Sequence, residues 1–288
     1  MKNNSNTYVA VLTYNEENNI SECINSIRNC YYEEIAVYDG GSSDKTVDIC
    51  KDLKIKVIVK PSSSISQRRS LALNKAINQN YKYILFVDAD QRLLNEKTAV
   101  LIDTFFLEDN FLAGVQLNLV KPNSEIEFNY WQLGFYSRHS MITGEFKNKT
   151  VIGTPCFYKI DIVKNFKYNT LEIKGPSDDT FFCKQITSSK YKLKSVNIHC
   201  TEIVRASFIS TIKKAFWYGI GDAEFVINEI NSKKRHNHLY HIFIRNTIIY
   251  PLKNLDKLLF FHIIFGYTRL FGFLYFMILK PKEYINKS

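Results

Sequence analysis

No two cysteines stand in C-x-x-C spacing; the six present (Cys23, Cys30, Cys50, Cys156, Cys183 and Cys200) are scattered along 288 residues. Several fall on apolar helix positions, where a free thiol behaves as a small hydrophobe, so a reduced, cytoplasmic setting is expected. Also missing after any apolar run is a G-x-G-x-x-G or a G-x-x-x-x-G-K-[ST]. A dinucleotide fold or a P-loop would therefore lack its phosphate cradle. The opening MKNNSNTY has no apolar stretch, and no secretory signal is expected there. Acidic residues are scarce at the other end. From Lys233 onward ten Lys or Arg face only Asp256 and Glu283, which puts +8 of the net +10 in that segment. The rest is nearly balanced, which argues against a nucleic-acid-binding core and for a basic C-terminal region facing something anionic.

Apolar residues make up 45% of the chain, enough for one large core or one domain with a substantial appendage. The run Tyr83-Ile84-Leu85-Phe86-Val87 reads as a strand buried on both faces. It ends in Asp88-Ala89-Asp90. Side chains two apart on a strand share a side, so both carboxylates point into the crevice that an open α/β sheet forms at its carboxyl edge. Two hard oxygen ligands, open on one side, suit Mg²⁺ or Mn²⁺ shared with a substrate phosphate. Solvated loop aspartates or a helix cap would show the same triplet.

Around this strand the chain alternates. Tyr8 to Leu12 is a strand, followed by Thr13-Tyr14-Asn15-Glu16-Glu17 and a helix with Ile20, Cys23, Ile24 and Ile27 on one face. Ile35 to Tyr38 is a second strand, followed by Asp39-Gly40-Gly41-Ser42-Ser43-Asp44 and a helix from about Lys45. Lys56 to Val59 is a third strand, and Ser66 is a candidate cap for a helix carrying Arg68 and Arg69. This spacing implies right-handed βαβ crossovers and a mostly parallel sheet. Further on come a helix near Asn95 to Leu107, a strand near Leu112 to Val120, and an aromatic stretch from Glu127 to Ser140. The aromatic stretch can be packing or a wall for a sugar or lipid. Turns are expected at Gly153-Thr154-Pro155 and Gly175-Pro176-Ser177, the second delivering Asp178 and Asp179 to the start of a helix. Carboxylates in a first helical turn can also be simple dipole partners.

Together T-Y-N-E-E, D-G-G-S-S-D, the Arg-containing helix, D-A-D and the acidic pair at 178–179 resemble a family 2 glycosyltransferase of GT-A fold, over roughly residues 7 to 200. The resemblance implies an α/β, Rossmann-like, mostly parallel sheet flanked by helices. It implies transfer of a sugar from a nucleotide diphosphate donor, a UDP- or GDP-sugar, with inversion, to a saccharide or lipid-linked acceptor. Thr13, Tyr14, Asn15 and Glu16 would line the base and ribose pocket, Asp39 would bond the base, and Arg69 would reach the nucleotide. Ser70 and Ala72 stand where the family has R-N-x-G, which leaves Arg68 as a rival. Asp88 and Asp90 would hold the ribose and the Mg²⁺ or Mn²⁺, with His199, just past a strand from Leu193 to Ile198, as a further ligand. Where the family has an E-D pair this chain has Asp178-Asp179, so Asp179 is expected to take the acceptor's proton. A sugar-phosphate nucleotidyltransferase would carry a Gly-rich basic loop after the first strand; a catalytically silent scaffolding relative would not need to retain these acids.

Residues 1–204 are thus expected to form the catalytic domain and 205–288 a helical, basic and apolar extension. Leu258 to Leu279 has the length of a membrane span but contains Arg269, and lysines flank it. That combination fits an anchor lying in a membrane interface at the cytoplasmic face. Helices packed on the catalytic domain, or a dimer interface, are the alternatives.

Overall fold

The computed structural model describes residues 6–122, 127–142, 148–149, 151–168, 178–228, 232–255 and 257–279. The chain divides into two units: residues 1–123, 139–171 and 179–203 form the first, and 124–138, 172–178 and 204–288 the second.

The first unit is built on a nine-stranded sheet: β1 (Thr7–Thr13), β2 (Ile35–Asp39), β3 (Lys56–Val59), β4 (Tyr83–Asp88), β5 (Gln91–Leu93), β6 (Leu112–Val120), β7 (Asn148–Lys149), β8 (Cys156–Lys159) and β9 (Lys192–Glu202). The spatial order is β3-β2-β1-β4-β8-β6-β9-β5, with β7 pairing with β9. β3, β2, β1 and β4 are parallel, as the alternating pattern requires. Beyond β4 the sheet is mixed: β8 runs antiparallel to both β4 and β6, while β6 and β9 are parallel.

β1 is buried along its whole length because each face meets its own cluster. Val9 and Val11 pack with Ile20, Cys23, Ile24 and Ile27 of α1 (Ile20–Asn29). Tyr8, Ala10 and Leu12 pack with Ala72, Leu73 and Ala76 of α3 (Ile65–Asn78), which follows α2 (Thr46–Asp52). The cap of α3 is Ser64 rather than Ser66: its hydroxyl accepts from Gln67 N at 3.2 Å, and Gln67 Oε1 accepts from Ser64 N at 2.9 Å. This is a reciprocal capping box, and Ser66 is buried within the helix. The remaining helices are α4 (Thr98–Glu108), α5 (Tyr130–Ile142), a single turn α6 (Ile160–Val163) and α7 (Asp178–Thr187). The expected Gly175-Pro176-Ser177 turn lies outside the described residues.

In the second unit α8 (Phe208–Asn228), α9 (Ser232–Tyr240), a π-helical stretch (His241–Ile249), α10 (Tyr250–Lys253) and α11 (Leu259–Leu279) follow one another. Phe135 and Tyr136 of the aromatic stretch are core here, packed with Phe261 and Phe265, so packing accounts for them. α8 and α11 approach backbone to backbone: a Cβ on Gly219 would collide with the carbonyl of Arg269, and one on Gly272 with that of Phe216. The same close pairing joins Asp222 to Arg269 through two bonds of 2.6 and 2.8 Å, with His238 Nε2 3.0 Å from Asp222. Burial pushes the Asp222 carboxyl up, but the charge and bonds of Arg269, aided by His238, outweigh it and hold it at about 2. A folded-state value below the unfolded one, about 3.9, gives stability that is present above pH 4 and lost as pH falls towards 2. Asp222→Ala strands a guanidinium that is largely out of water and is expected to cost about 3 kcal/mol, the lower end for a broken buried pair. Thermal unfolding of the variant, and of the wild type between pH 7 and pH 3, checks both.

Candidate active site

The loops after β1 and β2 form one hydrogen-bonded unit. Asn15 takes a φ of 55°, a conformation asparagine tolerates. Its N–H donates to Ser42 Oγ at 2.8 Å and its Oδ1 accepts from Ser43 N at 2.8 Å. Glu16 N donates to Thr46 Oγ1 at 2.8 Å, and Glu17 N to Asp44 Oδ2 at 3.1 Å. Asp39, wholly buried, organises the second loop: its Oδ1 accepts from the N–H groups of Gly41 and Ser42, both at 2.8 Å, and its Oδ2 from Ser42 Oγ at 2.5 Å. Gly41 has a φ of +94° and Gly40 leaves room for a neighbour. A Cβ on Gly40 would run into the Arg68 guanidinium and lie 3.3 Å from the Tyr14 ring. Tyr14 is 58% exposed, whereas the Thr13 hydroxyl is buried with no hydrogen-bond partner among the described residues.

Register brings the motifs to one sheet edge: Thr13 lies opposite Asp39, and Leu12 opposite Asp88. Asp88 and Asp90 are half-buried and flank the buried Ala89. The carbonyl of Asp90 accepts from Ile203 N at 2.7 Å, just past the end of β9. Arg69 Nη1 donates to Asp179 Oδ1, across 110 residues of chain, and the Arg69 side chain is 5% exposed. Cys156, at the start of β8, reports how these groups gather. Burial pushes its thiol well up; Asp179 adds to this, Arg69 opposes it, and Asp88 contributes a smaller push upward. The contacts that place these groups are the ion pair of Arg69 with Asp179 and the bond from Thr154, two residues before Cys156, to Asp88.

Asp178 is buried at the start of α7. His199 lies within β9, exposed. β9 continues through it to Glu202, and its exposed ring bonds Asn197 Oδ1 at 2.8 Å. It is four residues short of Ile203, about 13 Å along a strand. Among the described residues no group of three or more His, Cys, Asp or Glu is arranged to hold a metal ion. Two further residues touch Asp88: Thr154 Oγ1, 2.5 Å from its Oδ2, and Gln91, whose Oε1 accepts from its N–H at 3.0 Å. Neither stands out in sequence, since Thr154 reads as part of a turn and Gln91 merely follows D-A-D.

A parallel half-sheet with two acids at the end of β4, continued by a mixed half in which β8 runs antiparallel to its neighbours, is the architecture of a GT-A fold. The profile described as Glycosyl transferase family 2 matches residues 8–166, and the chain belongs to that family. It is similar to an uncharacterized glycosyltransferase of Rickettsia typhi, 40% identical over 86 residues, 30% of this chain and 28% of that one. The chain thus matches about a third or less of the length of such curated relatives. A Methanococcus voltae protein named dolichyl N-acetyl-alpha-D-glucosaminyl phosphate 3-beta-D-2,3-diacetamido-2,3-dideoxy-beta-D-glucuronosyltransferase is 25% identical over 65% of this chain and 67% of its own. In fold the chain resembles Staphylococcus aureus TarS, solved with UDP-GlcNAc, at a TM-score of 0.55 and 18% identity, over 86% of this chain and 76% of that one. It also resembles a mannosyltransferase of Pyrobaculum calidifontis, solved with GDP-Man and Mn²⁺, at 0.56 and 15%, over 98% and 78%.

Proposed function

We propose that this enzyme moves a sugar from a nucleoside diphosphate donor, with inversion at the anomeric carbon, to a saccharide or lipid-linked acceptor of cell-envelope assembly. The observation that carries the reading is the register that brings the loop after β1, Asp39 and Asp88 to one sheet edge, with the Arg69–Asp179 ion pair in the same unit as support for a base. Thr13, Tyr14, Asn15, Glu16 and Asp39 line the nucleotide pocket, with the orphaned Thr13 hydroxyl available to a ligand and the exposed Tyr14 ring available to stack on a base.

Asp88 and Asp90 would hold Mg²⁺ or Mn²⁺; two carboxylates are a fitting donor set for a cation that keeps waters and shares substrate phosphates. Bound there, the cation supplies charge neutralisation to the departing diphosphate. The acceptor hydroxyl attacks the anomeric carbon from the face opposite the diphosphate, its proton passes to Asp179, and the bond from carbon to phosphate oxygen breaks. An inverting displacement needs one such base. Arg69 orients Asp179, and Arg68, beside Gly40 and Tyr14, faces the nucleotide loop. His199 is left outside this arrangement. The ligands and names of the similar proteins support the donor class and the cell-surface setting. A screen of UDP- and GDP-sugars by melting temperature, with Mn²⁺ present, tests the reading: one donor is expected to raise it, and no shift from any would contradict it.

We place the enzyme at the cytoplasmic face through its second unit. α11 is 21 residues long and is, among the described residues, the one helix long and apolar enough to cross a membrane. Its single charged residue, Arg269, is turned to Asp222. Phe260, Ile263, Tyr267, Phe271, Leu274 and Ile278 are all exposed, at helical spacing on one stripe. Lys253 and Lys257 are exposed just before it; Lys280 and Lys282 lie outside the described residues. An uncharged aromatic stripe beside lysines fits an anionic membrane surface. The chain is expected to pellet with anionic liposomes, and Phe271→Glu with Ile278→Glu to leave most of it in the supernatant. Release by alkaline carbonate would mark an interfacial anchor and retention a span; indifference to liposomes would remove the membrane reading.

A further inference from the structure

Gln91 and Thr154 are 2% and 7% exposed, and with Asp88 they close a ring of hydrogen bonds whose directions are all determined. The N–H of Asp88 donates to Gln91 Oε1 at 3.0 Å. A backbone N–H can only donate, so this bond fixes which end of the Gln91 amide is oxygen and turns Nε2 towards Thr154. Nε2 donates there to the Thr154 carbonyl at 3.1 Å and to its hydroxyl oxygen at 3.2 Å. A hydroxyl carries one proton. With its oxygen accepting from the amide, that proton goes to Asp88 Oδ2, 2.5 Å away, and an ionised carboxylate can only accept. The Asp88 backbone is fixed as well: its carbonyl lies 3.7 Å from Cys23 Sγ, and the next N–H, of Ala89, donates to Leu12 O at 3.0 Å. The result is a carboxylate at the carboxyl edge of the sheet oriented by buried, uncharged groups arriving from β5 and from the bend just before β8.

We propose that Gln91 and Thr154 are positioning residues for donor binding, holding the Asp88 carboxylate in the orientation that receives the nucleoside diphosphate and its cation. The inference rests on the reading of Asp88 as a donor ligand. Neither residue touches the donor; both act through Asp88, as the outer partners of a ligating carboxylate do. Without the ring the carboxylate loses the short bond from Thr154 that orients Oδ2, and binding must order it again. Loss of such a partner typically costs about 10–100-fold in metal affinity or activity, and nucleotide that binds through the cation is expected to weaken with it.

The full-length chain and its Thr154→Val, Thr154→Ser, Gln91→Met and Asp88→Asn variants are titrated with UDP and with GDP in the presence of Mn²⁺, and each is melted without ligand. Valine keeps the shape of threonine and removes the hydroxyl; serine keeps the hydroxyl. Thr154→Val and Gln91→Met are expected to weaken nucleotide binding about 10–100-fold, and Thr154→Ser to stay within about threefold of wild type. A role in packing alone would lower the melting temperature of Thr154→Val and leave the affinity unchanged. The proposal is overturned if Thr154→Val and Gln91→Met bind within twofold of wild type, or if Thr154→Ser weakens binding as much as Thr154→Val. Should Thr154→Val fail to fold, Thr154→Ser and Gln91→Met decide by the same limits. Asp88→Asn separates the two levels. If it alone loses nucleotide, the positioning role is wrong and the donor reading stands; if it binds as wild type does, or the wild type binds neither nucleotide, both fall together.

Discussion

Asp90→Asn is expected to reduce sugar transfer by about 10³-fold or more, the several kcal/mol that a Lewis acid contributes at a leaving diphosphate. The substitution keeps the shape of the side chain and removes its charge. The fold should survive it, because Asp90 is half-buried and the change leaves in place the bond of its backbone carbonyl to Ile203 N at 2.7 Å. Turnover with Mn²⁺, and the Mn²⁺-dependent rise in melting temperature with nucleotide, should disappear together while the unliganded melting temperature holds. Full wild-type activity in excess chelator would remove the metal assignment.

Asp179→Asn is expected to lower turnover by about 10² or more, the scale of general-base catalysis, with nucleotide affinity largely kept. The amide can still meet Arg69 through its oxygen but cannot take the acceptor's proton. Asp178→Asn, at the buried first position of α7, is expected to be the milder change, and the reverse order would pass the role to Asp178. Steady-state kinetics on both variants, with kcat and donor KM read separately, distinguishes them. A rise in KM at constant kcat for Asp179→Asn would mean a binding group and not a base.

How far these residues can be read without coordinates depends on the range of the interaction that places them. β1, β2 and β4 are legible because burial on both faces leaves continuous apolar runs, and because loops that follow parallel strands collect at one edge. D-A-D and the two loop motifs are local, and they lie where that argument puts them. The capping box of α3 is local too, since Ser64 and Gln67 are the S-x-x-Q signature; choosing Ser66 overlooks the reciprocal partner. The antiparallel insertion of β8 between β4 and β6 is different. A strand of four residues carries no mark of its neighbour, and only pairing across tens of residues decides it. The extent of β9 through His199 follows from its pairing with β5 and β6, which no pattern inside Leu193 to Ile198 announces. The same holds for Arg69 with Asp179 and for Thr154 with Asp88, contacts across 110 and 66 residues. Resemblance to a family supplied the acids; tertiary contact supplied their partners.

The central claim is that Asp88 and Asp90 hold a metal-dependent nucleotide-sugar site. Release of nucleoside diphosphate from a panel of UDP- and GDP-sugars tests it most directly, comparing the full chain with its Asp90→Asn variant, with Mn²⁺ and with chelator. Release by the wild type from at least one donor, in Mn²⁺ and not in chelator, with none from Asp90→Asn, is the predicted result. Equal release by the two proteins, or none by the wild type from any donor, would contradict the account.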